Sequence, residues 1–303
     1  MLRPDEAGGR PGVQIGVCVR EVQGRLGAGG IENAGREARR LVCAMAGVAP
    51  EALIMRPETV LAEDVVGAVE TAIGKRLAGM TIGRIVGEQS FYGRSFALND
   101  ATLEPRADSG TVVDAVLEVL GEAGRAGAPL RIVDVGTGTG CLLISLLAEL
   151  PSATGIGIDL SARALQAAQQ NAVRHGVDGR VMFVVADGLE GVQGPCDVLI
   201  SNPPYIRAGD IAGLDETVRC HDPVLALDGG ADGLDVYRKI AERAGAVAPD
   251  GWLFLEIGAG MRASVCQVFD ARFGVRGCWR VWQDINGHER CVACKPRTGP
   301  VSE

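Results

Sequence analysis

Apolar residues recur at helical spacing in the first third of the chain. Asn33 is a candidate N-cap residue, because an apolar face begins immediately after it. That face carries Ala34, Ala38, Leu41, Val42 and Met45, and a second face carries Val65, Val69, Ala72 and Ile73. Spacings of three and four residues predict two amphipathic helices of a small bundle. The first dozen residues are rich in Gly and Pro and predict a loose tail.

The pattern changes between Ile82 and Ala101. Phe91, Tyr92 and Phe96 surround Gly93 there. Aromatic residues around a glycine are typical of a short hairpin or an extended linker.

From Leu130 onward, predicted strands and helices alternate. The strands cover residues 131–135, 154–158, 181–185, 197–201 and 252–257, and the helices cover 141–150, 162–175, 235–247 and 262–273. Two final strands, 277–283 and 289–295, are joined through the turn residues Asn286 and Gly287. This alternation predicts an α/β fold: a doubly wound, mostly parallel sheet with an antiparallel pair at its end.

The length of 303 residues allows more than one domain. We expect a helical domain over residues 1–81, a hairpin linker over 82–103 and a catalytic domain over 104–303.

The charge balance lowers the expectation of a dedicated nucleic-acid-binding protein. The formal net charge is −8 and the sequence pI is about 5.1, whereas neutralising phosphates requires a basic surface. No apolar stretch reaches the roughly 20 residues that span a bilayer, and residues 1–12 are too polar for a signal-peptide core. We expect a cytoplasmic protein with no membrane partner.

The cysteines and histidines show no metal-ligand spacing. There are nine cysteines, an odd number that makes a poor disulfide framework, and three widely separated histidines. Cys291 and Cys294 are the one close pair, and residues three apart on a strand point to opposite faces. We therefore expect no metal, and ordinary thiols in a reducing compartment.

The candidate cofactor loop follows the first strand of the alternating region and opens a helix. It reads Gly136-Thr137-Gly138-Thr139-Gly140, and glycines let a ligand approach the backbone. Asp159 ends the next strand, where a carboxylate can accept hydrogen bonds from ribose hydroxyls. Asp187 and Gly188 follow the third strand, where an adenine ring would lie. These positions predict a site for an adenosine-containing cofactor.

The glycine spacing disfavours a dinucleotide. The dinucleotide fingerprint G-x-G-x-x-G places a diphosphate at the helix N-terminus, but Cys141 occupies the position of its third glycine. We expect S-adenosylmethionine, an adenosine ligand without a diphosphate. Asp134, inside the preceding strand, either orients amides of the loop or is a buried capping carboxylate.

Asn202-Pro203-Pro204-Tyr205 follows the fourth strand and is the candidate acceptor site. Ligands of doubly wound sheets bind beyond the carboxyl ends of the strands, so this tetrapeptide should face the cofactor. The Asn202 side-chain oxygen and the Pro203 carbonyl can each accept one N–H of a planar NH₂ group, and Tyr205 can form an aromatic wall. The motif predicts methylation of an amide or aromatic amine through positioning and desolvation, without a strong base.

Through these motifs the chain resembles the HemK/PrmC family of peptide chain release factor glutamine methyltransferases. The similarity runs from about Ile31 to Lys295. Besides the glycine loop, the matching segments are Ile85-Val86-Gly87, Phe91-Tyr92-Gly93, Ser201-Asn202-Pro203-Pro204-Tyr205-Ile206, His221-Asp222-Pro223, Leu225-Ala226-Leu227, Gly229-Gly230-Ala231-Asp232-Gly233-Leu234, Leu255-Glu256-Ile257-Gly258 and Gly287-His288-Glu289-Arg290. The tetrapeptide alone also occurs in adenine-N6 methyltransferases, so the flanking motifs identify the family.

The resemblance implies a class I, Rossmann-like methyltransferase domain preceded by a helical domain that docks the protein substrate. It also implies S-adenosylmethionine as the cofactor and the glutamine in the Gly-Gly-Gln loop of bacterial release factors as the acceptor. Carried over by position, residues 136–140, Asp159, Gly188 and Asn202 would contact the cofactor. Residues 202–205 would hold the glutamine.

One segment departs from the family pattern. The family reads Pro-Arg-Pro-Glu-Thr-Glu before the catalytic domain, with Asp also seen at the fourth place, whereas this chain reads Pro105-Arg106-Ala107-Asp108-Ser109-Gly110. The arginine and one acid are retained, and the last acid is replaced by Gly110. We expect this departure to affect the contribution of the loop to the catalytic rate. The two site motifs are unchanged.

Other functions remain open at this point. A glutamine of a ribosomal protein would use the same site. An adenine-N6 nucleic-acid methyltransferase would need a basic groove and a pocket for a flipped base, and no run of Lys or Arg lies near the tetrapeptide. A binding protein without turnover is the non-enzymatic alternative, suggested only by the altered segment at 105–110.

Overall fold

The computed structural model describes residues 12–273 and 278–296. Contacts divide the chain into two compact units between Gly87 and Glu88. The helices of the first unit are α1 (Ile15–Ala28), α2 (Ala34–Ala46), α3 (Ala52–Met55), α4 (Glu63–Leu77) and α5 (Ile82–Val86). Apart from Gly12, the tail predicted for the first dozen residues lies outside the described residues.

The first unit has its own apolar core, to which both predicted helical faces contribute. Its most buried members on α2 and α4 are Ala38, Leu41, Val42, Val69, Ala72 and Ile73. Asn33 precedes α2 as predicted, but its side chain makes no capping hydrogen bond. Its backbone is not in the extended conformation that a capping side chain needs (φ −97°, ψ 31°). Burial of the apolar face, rather than a side-chain cap from Asn33, therefore stabilises the start of α2.

The segment from Ile82 to Ala101, for which a short hairpin or an extended linker is expected, begins with helix α5. Thr81 caps α5 by accepting a hydrogen bond from the Arg84 amide at 3.3 Å, and Gly87 ends the helix with a φ of +82°. The rest is the predicted hairpin, formed by β1 (Glu88–Phe91) and β2 (Arg94–Ala97). Tyr92 and Gly93 form its two-residue turn, both with positive φ.

The second unit contains the predicted sheet. Its strands are β3 (Arg131–Val135), β4 (Thr154–Asp159), β5 (Val181–Val185), β6 (Val198–Ser201), β7 (Trp252–Glu256), β8 (Arg280–Gln283) and β9 (Glu289–Cys294). They are ordered β5-β4-β3-β6-β7-β9-β8, and β9 runs antiparallel to both of its neighbours. This order confirms the doubly wound, mostly parallel sheet with an antiparallel pair at its end. Gly277, the predicted start of β8, lies outside the described residues.

Helices cover both faces of the sheet. They are α6 (Gly110–Glu122), α7 (Cys141–Glu149), α8 (Ala162–Arg174), α10 (Asp235–Val247) and α11 (Arg262–Phe273), and the short α9 (Glu216–Arg219) has no buried residue. One core cluster joins α6 and α7 to the sheet, and another joins α10 and α11 to it. Cys291 belongs to the first cluster and Cys294 to the second, so these two thiols point to opposite faces as predicted.

A buried asparagine attaches the hairpin to the loop that follows β3. Asn171 of α8 accepts the Ala97 amide at 2.7 Å, and its Nδ2 donates to the carbonyls of Ala97 (3.1 Å) and Thr139 (3.0 Å). One side chain therefore holds both the end of β2 and the loop that precedes α7. Within the described residues, no helix is long and apolar enough to cross a membrane.

The end of α6 gives a matched test of backbone conformation. A Cβ would meet nothing within 4 Å at either Gly121 or Gly124, but Gly124 has a φ of +65° whereas Gly121 is helical. Gly121→Ala is expected to raise the free energy of unfolding by about 0.5–1 kcal/mol. Gly124→Ala is expected to lower it by about 1 kcal/mol. Urea unfolding measures both, and shifts of the same sign would contradict this end of α6.

Candidate active site

A cavity of about 360 Å³ lies at the carboxyl ends of β3, β4 and β6. β3 pairs in parallel with β4 on one side and with β6 on the other. The strand order therefore reverses at the β3–β6 pair, which is where ligands bind in doubly wound sheets. The volume is within the range of small-molecule sites.

The glycine loop turns from β3 into α7 with a positive φ at each glycine. The φ values are +72° at Gly136, +55° at Gly138 and +79° at Gly140. Residues 136–139 line the cavity and Gly140 does not. A Cβ on Gly140 would stand 2.7 Å from Ile144 Cδ1, so this glycine permits close packing at the start of α7.

Asp159 fixes the loop from the end of β4. Its Oδ2 accepts the Gly138 amide and its Oδ1 accepts the Ser161 amide, each at 2.9 Å. Burial raises the pKa of this carboxyl, and the amide hydrogen bonds oppose the shift. Both oxygens keep a lone pair for a ligand.

Asp134 is a buried carboxylate that caps the loop through a hydroxyl. It is 1% exposed, and its Oδ2 accepts a hydrogen bond from Thr137 Oγ1 at 2.7 Å. Its Oδ1 has no hydrogen-bond partner among the described residues. Burial raises the pKa of Asp134 to about 7. Of the two roles expected for Asp134, the structure therefore supports the capping one, and an amide of the loop is held by Asp159 instead.

The charged lining of the cavity is mainly acidic. Its acidic residues are Asp134, Asp159, Asp187, Asp228 and Asp235, and its basic residues are Arg106 and Lys239. Both basic side chains are already paired, Lys239 with Asp187 at 2.7 Å and Arg106 with the buried Asp222. Such a cavity disfavours a diphosphate and suits a ligand with positive charge.

The acceptor tetrapeptide contributes two residues to the cavity. Asn202 and Pro204 line it, while Pro203 and Tyr205 lie outside the lining. Asn202 Nδ2 donates to Ser109 Oγ at 3.2 Å. Burial raises the pKa of the Tyr205 phenol, so this side chain stays protonated at neutral pH.

Glycines surround the backbone of the tetrapeptide. A Cβ on Gly229 would stand 2.8 Å from the Pro204 carbonyl oxygen, and one on Gly233 would stand 2.4 Å from that of Tyr205. A Cβ on Gly258 would lie 3.0 Å from the Tyr205 ring. The tetrapeptide therefore packs against glycine-rich segments at positions that have no room for a side chain. The pattern of strands and helices did not predict this enclosure, although the glycine pair at 229–230 was a signal for it.

Known proteins match most of the chain. The PrmC N-terminal domain model matches residues 18–87, and the Methyltransferase small domain model matches residues 104–218. The release factor glutamine methyltransferase of Rhodospirillum rubrum is 39% identical over 279 residues, which are 91% of this chain and 84% of that protein. Its counterpart in Bradyrhizobium diazoefficiens is 41% identical over 255 residues, 84% of this chain and 86% of that protein. The chain belongs to the release factor glutamine methyltransferase family.

A solved structure shares the fold at low sequence identity. The hMettl16 catalytic domain in complex with the MAT2A 3'UTR hairpin 6 superposes with a TM-score of 0.53 and 14% identity, covering 76% of this chain and 84% of that chain. This likeness concerns the fold alone. Membership of the family confirms the resemblance that the sequence motifs indicated.

The segment that departs from the family pattern keeps its retained charges paired. Arg106 pairs with Asp222, and Asp108 lies 3.3 Å from Arg290, which also pairs with Asp284 at 2.9 Å. Gly110, at the position of the missing acid, begins α6, and a Cβ there would lie 3.6 Å from the Tyr92 ring, an ordinary contact. Although one acid of the family pattern is missing, the loop remains attached through ion pairs to Asp222 and to Arg290 of β9.

The ionisation of Asp134 makes the stability of the protein depend on pH. Its pKa rises from an ordinary 3.8 to about 7 in the fold, so its ionised form weakens the fold increasingly as pH rises from about 4 to 7. Asp134→Asn removes this effect. The variant is expected to gain melting temperature over the original chain as pH rises, with a constant gain above pH 7.

Asp215 provides the control for this measurement. It is an exposed acid that caps α9, and its pKa is lowered by hydrogen bonds to Thr217. Asp215→Asn should give no gain that grows with pH. A pH-independent difference for Asp134→Asn would contradict the raised pKa.

Proposed function

We propose that this chain transfers a methyl group from S-adenosylmethionine to a glutamine side-chain amide, that of the Gly-Gly-Gln motif in a peptide chain release factor. One observation carries the proposal: the glycine loop and Asn202 meet at one acidic cavity. Relatives that match most of the chain are named for this modification. The glutamine side-chain amide ends in a planar NH₂ group, and the tetrapeptide offers oxygen acceptors for the two hydrogens of such a group.

The lining fits the proposed cofactor. S-adenosylmethionine carries a sulfonium and an ammonium group, which an acidic cavity favours. Asp159 retains acceptor capacity for ribose hydroxyls, and Asp187 and Gly188 lie with Ile158 and Ala186 where an adenine ring would be enclosed. Residues 136–139 would approach the rest of the ligand with their backbone. When bound, this cofactor supplies an electrophilic methyl group.

Asn202 and Pro203 would position the acceptor. A primary amide is a weak nucleophile because its nitrogen lone pair is delocalised. Two oxygen acceptors, Asn202 Oδ1 and the Pro203 carbonyl, would each take one N–H and fix the orientation of the nitrogen. Pro203 has no N–H that could compete as a donor. Tyr205, whose phenol stays protonated because burial raises its pKa, would form an aromatic wall beside the acceptor.

The partner is the release factor protein, with no direct nucleic-acid contact, and the enzyme acts in the cytoplasm, where translation ends. Residues 1–81 would dock the protein substrate, 82–103 would connect, and 104–303 would catalyse. The −8 net charge and the acidic cavity support a protein acceptor over a phosphate-rich one.

Mass spectrometry of a bacterial release factor incubated with the protein and S-adenosylmethionine tests this function. We expect one added methyl group on the glutamine of Gly-Gly-Gln, and none on a release factor in which that glutamine is replaced by glutamate. Asn202→Ala should lower the rate by at least about 100-fold, because a misplaced acceptor loses that much.

Calorimetry with S-adenosylhomocysteine is the control, since the variant should keep its binding site for the adenosine and ribose. Methylation of another residue would contradict the proposed acceptor. An Asn202→Ala enzyme with the original rate would contradict the role given to Asn202.

A further inference from the structure

Glu256 is a buried acid that the proposed chemistry does not use. It is the last residue of β7, is 4% exposed and does not line the cavity. Its Oε2 has no hydrogen-bond partner among the described residues. A buried carboxylate that is incompletely paired costs stability, so its presence behind the site calls for a function.

The register of the sheet sets Glu256 beside Asn202. β6 and β7 pair in parallel with Ser201 opposite Leu255, so Asn202 and Glu256 are the next neighbouring positions. Opposite residues of paired strands point to the same face, and the strands are about 5 Å apart. The side chains of Asn202 and Ser109 both interact with the Glu256 carboxyl and favour its ionised form.

The orientation of the Asn202 amide determines whether its oxygen acceptor or its N–H donors face a ligand in the cavity. Its Nδ2 donates to Ser109 Oγ, which leaves Oδ1 as the end available to a ligand. A hydroxyl next to an ionised carboxylate donates its proton to that carboxylate and keeps only lone pairs for other neighbours. Ser109 can then accept from Asn202 Nδ2 but cannot donate to Oδ1. If the amide turned round, the cavity would present N–H donors to an acceptor that is itself an NH₂ group.

We propose that Glu256 is a positioning residue that acts on Asn202 both directly and through Ser109, and so holds the Asn202 amide oxygen toward the acceptor. This inference rests on the proposed function, since only an NH₂ acceptor needs an oxygen at that point. Glu256 touches neither substrate nor cofactor, and it takes no part in bond making. Its ionised form sets the direction of the hydrogen bonds from Asn202 to Ser109 and from Ser109 to the carboxylate.

The groups around Glu256 set the pH at which this direction changes. Burial raises its pKa to about 7, the side chains of Ser109 and Asn202 lower it, Arg290 on β9 lowers it and Asp108 raises it. The other titratable groups that its charge affects are Tyr205, Tyr237, Cys141 and Cys291. Below about pH 7 the carboxyl gains a proton and becomes a donor itself. Ser109 is then free to donate to Asn202, so the rate should fall as pH falls through 7.

Kinetics of three variants test the proposal. Glu256→Gln keeps the shape but can present a donor as readily as an acceptor, and Ser109→Ala removes the linking hydroxyl. Each should lower kcat for release factor methylation by about 10- to 100-fold, with the Kd for S-adenosylhomocysteine within about threefold for Glu256→Gln. Ser109→Thr restores the hydroxyl and should recover most of the rate. The fall in kcat below pH 7 should disappear in Glu256→Gln.

Two matched controls exclude a general effect on packing. Ser145→Ala removes another buried hydroxyl, one that has no hydrogen-bond partner among the described residues. Tyr237→Phe removes the hydroxyl that donates to the Glu256 backbone carbonyl at 2.7 Å and leaves the carboxyl in place. Both controls should keep kcat within about twofold. Because burial penalises ionised Glu256, Glu256→Gln should melt no lower than the original chain at pH 8.

A spectroscopic measurement separates this inference from the proposed function. Asn202 is one of five asparagines, so selective ¹⁵N labelling gives few side-chain amide signals, and Asn202→Ala identifies the one that matters. That signal should shift with pH with a midpoint near 7, and it should not titrate in Glu256→Gln. This readout needs no substrate, so it decides the inference even if the release factor is not methylated. An Asn202 signal that ignores pH, or a Glu256→Gln enzyme with the original kcat, would overturn the proposal.

Discussion

The hydroxyl of Ser201 donates to the carbonyl of Val135 at 2.7 Å, where β6 and β3 end side by side. Val135 is the residue before the glycine loop, and Ser201 is the residue before Asn202. Parallel pairing of these two strands therefore sets the cofactor loop and the acceptor segment at one edge of the sheet. The cavity, its acidic lining and the orientation of Asn202 all depend on that adjacency.

Two buried acids near the cavity lower the stability of the fold. Asp134 and Glu256 are both buried, each has one oxygen without a partner among the described residues, and burial raises the pKa of each to about 7. Neither carboxylate would be retained for packing alone, because an apolar side chain would cost less. Asp134 caps the glycine loop, and Glu256 neighbours Asn202 of the proposed acceptor site. Departures from good packing concentrate where the chemistry is expected.

The sheet and the two site motifs could be predicted from the sequence because their signals are local. A glycine loop between strand and helix, and a Pro-Pro segment after a strand, carry their own geometry. The hydrogen bond from the Gly138 amide to Asp159, the pairing of Arg106 with Asp222 and the proximity of Glu256 to Asn202 could not be predicted, because they depend on long-range contacts. Helix α6 was also missed: its valines suit a strand as well as a helix, and only the buried face settles the difference.

Asn202 and Pro203 are proposed to present oxygen acceptors to a glutamine amide at the edge of the cavity. A crystal structure of the protein with S-adenosylhomocysteine and a peptide containing Gly-Gly-Gln tests this proposal most directly. We expect the glutamine side-chain nitrogen within about 3 Å of both Asn202 Oδ1 and the Pro203 carbonyl oxygen. A glutamine bound elsewhere, or one whose carbonyl oxygen faces Asn202 Nδ2, would contradict it.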